Sequence, residues 1–295
     1  MRKTVPPAGT ILTVFEIPLF PLCAILILNK SVFVSGMEMS PMKALILNCG
    51  PKTTFRDQLK CLMEPSPGET ILSRQLRLLC NSGVKRTAIV SDGTSKRISE
   101  YCAGLNLPME LTYFDYRSVY YMHYVYGMFC ARKFLVGNLL LMHSNLVFEK
   151  SVLECLLACR TSCMAVSTTV PPREEVNWTV MNGFRAYIRD GRIVKASDKA
   201  MSRAGEREFD SILPAWRFYR LRAEDLKVWM TRINRNCNHL GLTGVPAEDT
   251  LPVIDPVDIG NLLCTEPDNP DEAAAAFQRL KDTEYQTGDG SLSER

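Results

Sequence analysis

The sequence predicts an α/β fold: a mostly parallel sheet with helices on both faces, followed by a subregion that contains a hairpin. Three observations carry this. Five short apolar runs alternate with stretches of helical periodicity between residues 43 and 170, the pattern of crossover units on a parallel sheet. The first two runs end at Gly50 and Gly93, where a strand turns toward a helix. Past residue 184 the pattern changes to two alternating stretches around Asp190-Gly191, a strong hairpin pair.

Taken in order, "KALILNCG" (43–50) is a buried strand and turn. "ETILSRQLRLLCNSG" (69–83) puts Ile71, Leu72, Gln75, Leu76 and Leu79 at helical spacing, with Gly83 past its end. "RTAIVSDG" (86–93) is the second strand and "SKRISEYCAGLN" (95–106) the second helix. "MELTYFD" (109–115) is the third strand, and "YYMHYVYGMFCARKFL" (120–135) a helix whose aromatics pack in the core with tyrosine tips at the rim. "NLLLMHSN" (138–145), "EKSVLECLLACR" (149–160) and "SCMAVSTTV" (162–170) give the fourth strand, fourth helix and fifth strand. "FRAYIRDGRIVKAS" (184–197) is the hairpin. "RAEDLKVWMTRINRN" (222–236) is an amphipathic helix with Leu226, Trp229, Met230 and Ile233 on one side. "NPDEAAAAFQRLKDTEY" (269–285) is a terminal helix, with Asn269 as cap and Pro270 at its first position.

Composition narrows the class. Hydrophobic residues at 46% and charged residues at 23% exclude wholesale disorder. A net charge of +3, dispersed along the chain, argues against a nucleic-acid partner. Eleven cysteines without a CxxC pair fit a reduced, cytoplasmic interior better than a disulfide framework. Cys155, Cys159 and Cys163 recur every four residues, as if on one helix face, but zinc sites prefer tighter pairs with His. No HExxH, G-x-S-x-G or Walker lysine motif occurs. Residues 11–28, "ILTVFEIPLFPLCAILIL", are apolar, yet Glu16, Pro18 and Pro21 interrupt them. The reading is an N-terminal extension over 1–41, with Met42 a candidate start, or membrane contact through 11–28 if that segment is retained. A single domain then spans 42–285, and 286–295 is a polar tail.

A parallel sheet binds ligands at the carboxyl ends of its strands, so Asn48–Gly50, Ser91–Gly93 and His143–Asn145 are expected on one rim. With those stretches in view, "KALILNCGPKTTFRDQLKCLMEPSPGETILSRQLRLL" resembles the opening of the nucleotidyltransferases that make nucleotide-activated sugars and phosphocholine. "LLLMHSNLVFEKSVLECLL", "FRAYIRDGRIVKAS" and "CTEPDNPDEAAAA" are similar, in the same order, to the phosphocholine or sugar-phosphate cytidylyltransferase-like branch.

The resemblance implies a Rossmann-like, nucleotide-diphospho-sugar transferase-like fold. It also implies transfer of a nucleotidyl group, CMP from CTP favoured, to a small phosphorylated acceptor such as phosphocholine or a sugar phosphate. Leu47, Asn48, Cys49 and Gly50 fall where that family cradles the nucleotide, with Lys52, Asp92 and Gly93 on the same rim. Lys60 of "LKCL" matches a phosphate-binding lysine, and Arg185 a basic position facing the acceptor. Asn145 and Asp268 fall where the metal carboxylates stand, which implies Mg²⁺. Glu248, Asp249 and Tyr124 fall on the acceptor side, where tyrosine faces would suit a choline head group.

The departures are specific. Pro51 removes a backbone N–H that could bond phosphate, and the span from Gly50 to Lys60 is shorter than the family loop; Lys52 or Arg56 would have to supply the missing charge. Met122 and His123 stand where the branch keeps Thr-Asn. Asn145 replaces an acid that, at about 4 Å and an effective dielectric of about 20, would attract Mg²⁺ by a gross ~8 kcal/mol. His143 is a poor substitute, since Mg²⁺ prefers oxygen. "HSN" has a plainer reading too, a strand-end turn capping the next helix. Two functions therefore stand: a nucleotidyltransferase weakened in its metal site, and a catalytically degenerate relative that binds nucleotide or serves in assembly.

Overall fold

The computed structural model describes residues 41–48, 53–116, 124–169, 183–197, 203–239 and 251–286. The expectations for 1–40, Cys49, Gly50, Pro51, Lys52, Met122, His123, Glu248, Asp249 and 287–295 lie outside them. Among the described residues, no helix is long and apolar enough to cross a membrane.

The chain begins with β1 (Lys43–Asn48), then a short hairpin of β2 (Thr54–Phe55) and β3 (Gln58–Leu59) leading into a 3₁₀ turn over Lys60–Leu62. Helix α1 (Ile71–Asn81), β4 (Arg86–Asp92), α2 (Ser95–Ala103) and β5 (Glu110–Tyr116) follow. Next come α3 (Tyr124–Cys130), β6 (Leu139–His143), the two-residue β7 (Val147–Phe148), α4 (Lys150–Ala158) and β8 (Cys163–Val166). The second half holds the β9 (Arg185–Arg189) and β10 (Arg192–Ser197) hairpin, α5 (Arg203–Glu206), β11 (Ser211–Leu221) and α6 (Ala223–His239). It ends with β12 (Asp255–Asp258), β13 (Cys264–Thr265) and α7 (Pro270–Gln286).

Local chemistry explains the boundaries. Thr70 and Ser73 form a reciprocal capping box at the start of α1, and Gly83 leaves the helix at φ 86°. Asp190 and Gly191 turn the β9–β10 hairpin at φ 52° and 69°, the paired positive values of a type I′ turn. Arg56 and Asp57, at 46° and 66°, do the same between β2 and β3 without a glycine. Asn269 caps α7, accepting from the Glu272 N–H at 2.9 Å while Glu272 accepts from the Asn269 side chain.

Strands β6, β1, β4 and β5 are parallel neighbours in that order. The sheet continues from β6 through β11 to the β9–β10 hairpin, all antiparallel. The sheet is mostly parallel as expected, and β8 keeps the direction of β6, β1, β4 and β5, with antiparallel β11 inserted between it and β6. β8 does not lie beside β6; it pairs antiparallel with β11 and parallel with β12. The α4 crossover skips one position, and β11 returns to fill it. The same geometry takes the three cysteines off one helix face: Cys155 lies on α4, Cys159 ends it, and Cys163 is buried on β8 within hydrogen-bond reach of Cys159.

Alternation along the strands feeds two cores. Leu45, Leu47, Leu139 and Leu141 pack with Met128 of α3 and Leu226, Trp229 and Ile233 of α6. Ala44, Ile46, Leu140 and Met142 face the other way, onto Leu72, Leu76 and Leu79 of α1 and Leu153 and Leu156 of α4. A third cluster seats α7, through Ala273, Phe277 and Leu280, against Met63, Ile71 and Val147. Helices thus cover both faces and leave the carboxyl ends of β1, β4 and β6 level, with Asn48 opposite Ser91 and Leu47 opposite His143.

Candidate functional site

The strand ends are tied together by short polar bonds. Asn48 is 1% exposed; its Oδ1 accepts from Ser144 Oγ at 2.8 Å and its Nδ2 donates to Thr94 Oγ1 at 3.4 Å. The carbonyl of Leu47 accepts the Ser144 N–H at 3.0 Å, while the Leu47 side chain lies in the core. Asp92 and Gly93 form the turn into α2, with Gly93 at φ 67°. Gln75 of α1 donates through Nε2 to the carbonyls of His143 and Leu146 at 2.9 and 2.7 Å, bracketing the turn that carries Asn145. Glu149 stands at the N-cap position of the helix that follows, without a side-chain capping bond, so Ser144 and Asn145 are not its cap.

On this ledge the structure brings together three residues from distant parts of the chain. Lys60 is buried on the 3₁₀ turn, and its Nζ lies 2.6 Å from Oδ1 of Asp268, 208 residues away. The Asp268 side chain is 43% exposed, and its backbone N–H donates to Glu272 Oε2. Asn145 Nδ2 donates to the carbonyl of Pro267 at 3.3 Å, which sets its amide beside the aspartate.

Sequence reasoning passed over the acid two residues earlier. Glu266 Oε2 lies 3.6 Å from His143 Nδ1 and 3.6 Å from Arg217 Nη1, all three side chains less than a fifth exposed. Burial pushes the Glu266 carboxyl up, but the positive charges of His143 and Arg217 outweigh it and hold its pKa at about 2. The Arg217 guanidinium covers the Phe184 ring at 4.2 Å. The signal was present in "EPD", whose first residue is as acidic as its last.

Arg185 stands on β9 opposite Pro214 of β11, three positions and about 10 Å along the strand from Arg217. Tyr124 opens α3, and its side chain lies outside the description. Beneath the ledge, Cys61 is fully buried and its thiol is pushed up to about 12, chiefly by burial.

Charge decides what this ledge can hold. A divalent ion about 4 Å from Asp268 gains a gross ~8 kcal/mol at an effective dielectric of about 20, and an ammonium at similar range returns about as much with opposite sign. Lys60 supplies that ammonium, and Asn145 adds no charge. Among the described residues, no three His, Cys, Asp or Glu side chains are grouped to hold a metal ion. Mg²⁺, the ion the resemblance implies, keeps several of its waters and is held by one or two carboxylates together with substrate phosphates. Asp268 is paired with Lys60 and Asn145 is neutral, so the described residues do not fit a resident Mg²⁺.

No protein-family model matches the sequence, and no curated protein matches it. Solved structures do. The chain is similar to the inositol-1-phosphate CTP transferase from T. maritima, with 15% identity, a TM-score of 0.59, and coverage of 82% of this chain and 98% of that one. It is also similar to a UDP-glucose pyrophosphorylase complexed with UDP-glucose, at 11% identity and a TM-score of 0.60, covering 83% of this chain and 100% of the other. The apo form of a UDP-glucose pyrophosphorylase gives 10% identity and 0.60, over 83% and 99%. At these identities the likeness shows the fold: that of the nucleotide-diphospho-sugar transferases.

Proposed function

We propose that the chain binds a nucleoside triphosphate, CTP favoured, over the ends of β1, β4 and β6. It then transfers the nucleotidyl group to a small phosphorylated acceptor such as phosphocholine or a sugar phosphate. An acceptor phosphate oxygen attacks the α-phosphorus, the bond to the β-phosphate oxygen breaks, and pyrophosphate leaves. One observation carries this reading: Lys60, buried on the ledge, holds its ammonium against Asp268, whose neighbour Pro267 accepts from the Asn145 amide. Buried lysines are rare, and this one stands where a triphosphate's charge would fall. Lys60 would bind phosphate, the Asp92-Gly93 turn would lie along the nucleotide, and Arg185 would meet the acceptor. That one of the solved relatives is named as a CTP transferase supports the choice of nucleotide.

A second reading, a degenerate relative that binds nucleotide without turnover, is favoured by the Asn145 amide bonded to Pro267 where an acid would stand. Isothermal titration of CTP, ATP, GTP and UTP, with pyrophosphate release measured over phosphocholine and sugar phosphates, separates the two. Release with any acceptor supports transfer. Saturable binding with no release supports the second reading. No binding of any nucleotide refutes both.

A further inference from the structure

We infer that the ledge takes di- and triphosphates without a metal ion, the Lys60 ammonium standing where a two-carboxylate site places its divalent cation. The inference rests on the triphosphate reading above and deepens it. Three independent restraints support it.

The ammonium is built in. The Lys60 N–H donates to the Thr53 carbonyl at 2.9 Å, its carbonyl accepts from Met63 at 3.1 Å, and its neighbours Leu59 and Cys61 are sealed in the core. The side chain itself is only 4% exposed, enclosed beside Asp268. Asn145 is committed as well. Its nitrogen is bonded to the segment that carries Asp268, and Gln75 pins the backbone on either side. Glu266, the next acid along that segment, is engaged by His143 and Arg217. Glu272, the carboxylate beside Asp268, is taken up by the Asp268 N–H and the Asn269 amide, so among the described residues no uncommitted second carboxylate stands at the Lys60–Asp268 pair. A phosphate, by contrast, finds a fixed ammonium whose aspartate partner is part-exposed and able to yield.

The test is isothermal titration of the full chain with CTP and with inorganic pyrophosphate, each in EDTA and in millimolar Mg²⁺. The expected result is dissociation constants that agree within about threefold between the two conditions. The Asn145→Asp variant should become metal-dependent, binding at least about tenfold more tightly in Mg²⁺ than in EDTA. Binding by the unaltered chain that is lost in EDTA overturns the inference and leaves the triphosphate reading standing. An Asn145→Asp variant indifferent to Mg²⁺ also overturns it, by placing residue 145 off the site. If neither CTP nor pyrophosphate binds under either condition, the triphosphate reading fails and takes this one with it. The comparison on the unaltered chain needs no variant, so a poorly folding Asn145→Asp protein would not block the decision.

Discussion

Replacing Glu266 with glutamine removes one charge and keeps the shape. In the folded chain burial raises the Glu266 carboxyl, but His143 and Arg217 prevail and bring it from 4.5 to about 2. At roughly 1.4 kcal/mol per tenfold change, that difference is about 3 kcal/mol of stability. The side chain is 18% exposed, so solvent screening removes little of it. A depressed carboxyl contributes fully above its unfolded value, and the contribution fades as pH falls through the folded one. Glu266→Gln should therefore unfold at lower urea at neutral pH, by up to about 3 kcal/mol. The gap should then close between pH 4.5 and about 2, as the native glutamate takes up its proton and comes to resemble the amide. Urea titrations in steps of pH, read by circular dichroism, measure this directly. A variant as stable as the parent at neutral pH, or a gap that stays constant through the acid range, would refute the charge cluster.

Three further outcomes follow from packing and backbone geometry. Trp229, fully buried against the Tyr219 ring at 5.8 Å, anchors α6; Trp229→Ala should cost about 3–5 kcal/mol in urea unfolding, and a loss under about 1 kcal/mol would contradict that packing. Cys61, buried and with its thiol raised to about 12, should resist alkylation at about pH 8 while part-exposed Cys80 reacts; equal labelling by peptide mapping would show the ledge floor to be open. Asp57 turns the β2–β3 hairpin at φ 66°, so Asp57→Gly should raise stability by about 0.5–1 kcal/mol, and a destabilised variant would argue against that turn.

How far the sequence reached depended on whether one periodicity ruled a segment. β1, β4 and β6 are continuous apolar runs because both of their faces are covered, and α1 and α6 repeat at helical spacing because one stripe of each faces a core. β11 escaped because its sequence, "SILPAWRFYRL", breaks both rules. Pro214 interrupts it, and Arg217 and Arg220 occupy inward positions. Arg220, 2% exposed, donates through Nη1 to the Thr161 carbonyl at 2.6 Å. Without that strand, neither the antiparallel insertion nor the Arg217 partner of Glu266 was within reach. The β2–β3 hairpin was missed because Arg-Asp is not a usual turn pair. Lys60, Asn145 and Asp268 were singled out through the order of motifs along the chain; in the structure Lys60 bonds Asp268, and Asn145 bonds the carbonyl of the adjoining Pro267. Motif order could not reveal that the lysine and the aspartate bond each other, since that contact depends on a turn tucked under α1.

Gln75 has a consequence for how this pocket could change. By clasping two carbonyls across the bend after β6, it frees the backbone there from dependence on the identity of residue 145. Exchanging one amide nitrogen for an oxygen would then alter what the pocket attracts while the loop keeps its shape. On the proposed reading, two modes of anion capture, one needing a borrowed ion and one self-sufficient, would lie a single atom apart on an unchanged frame.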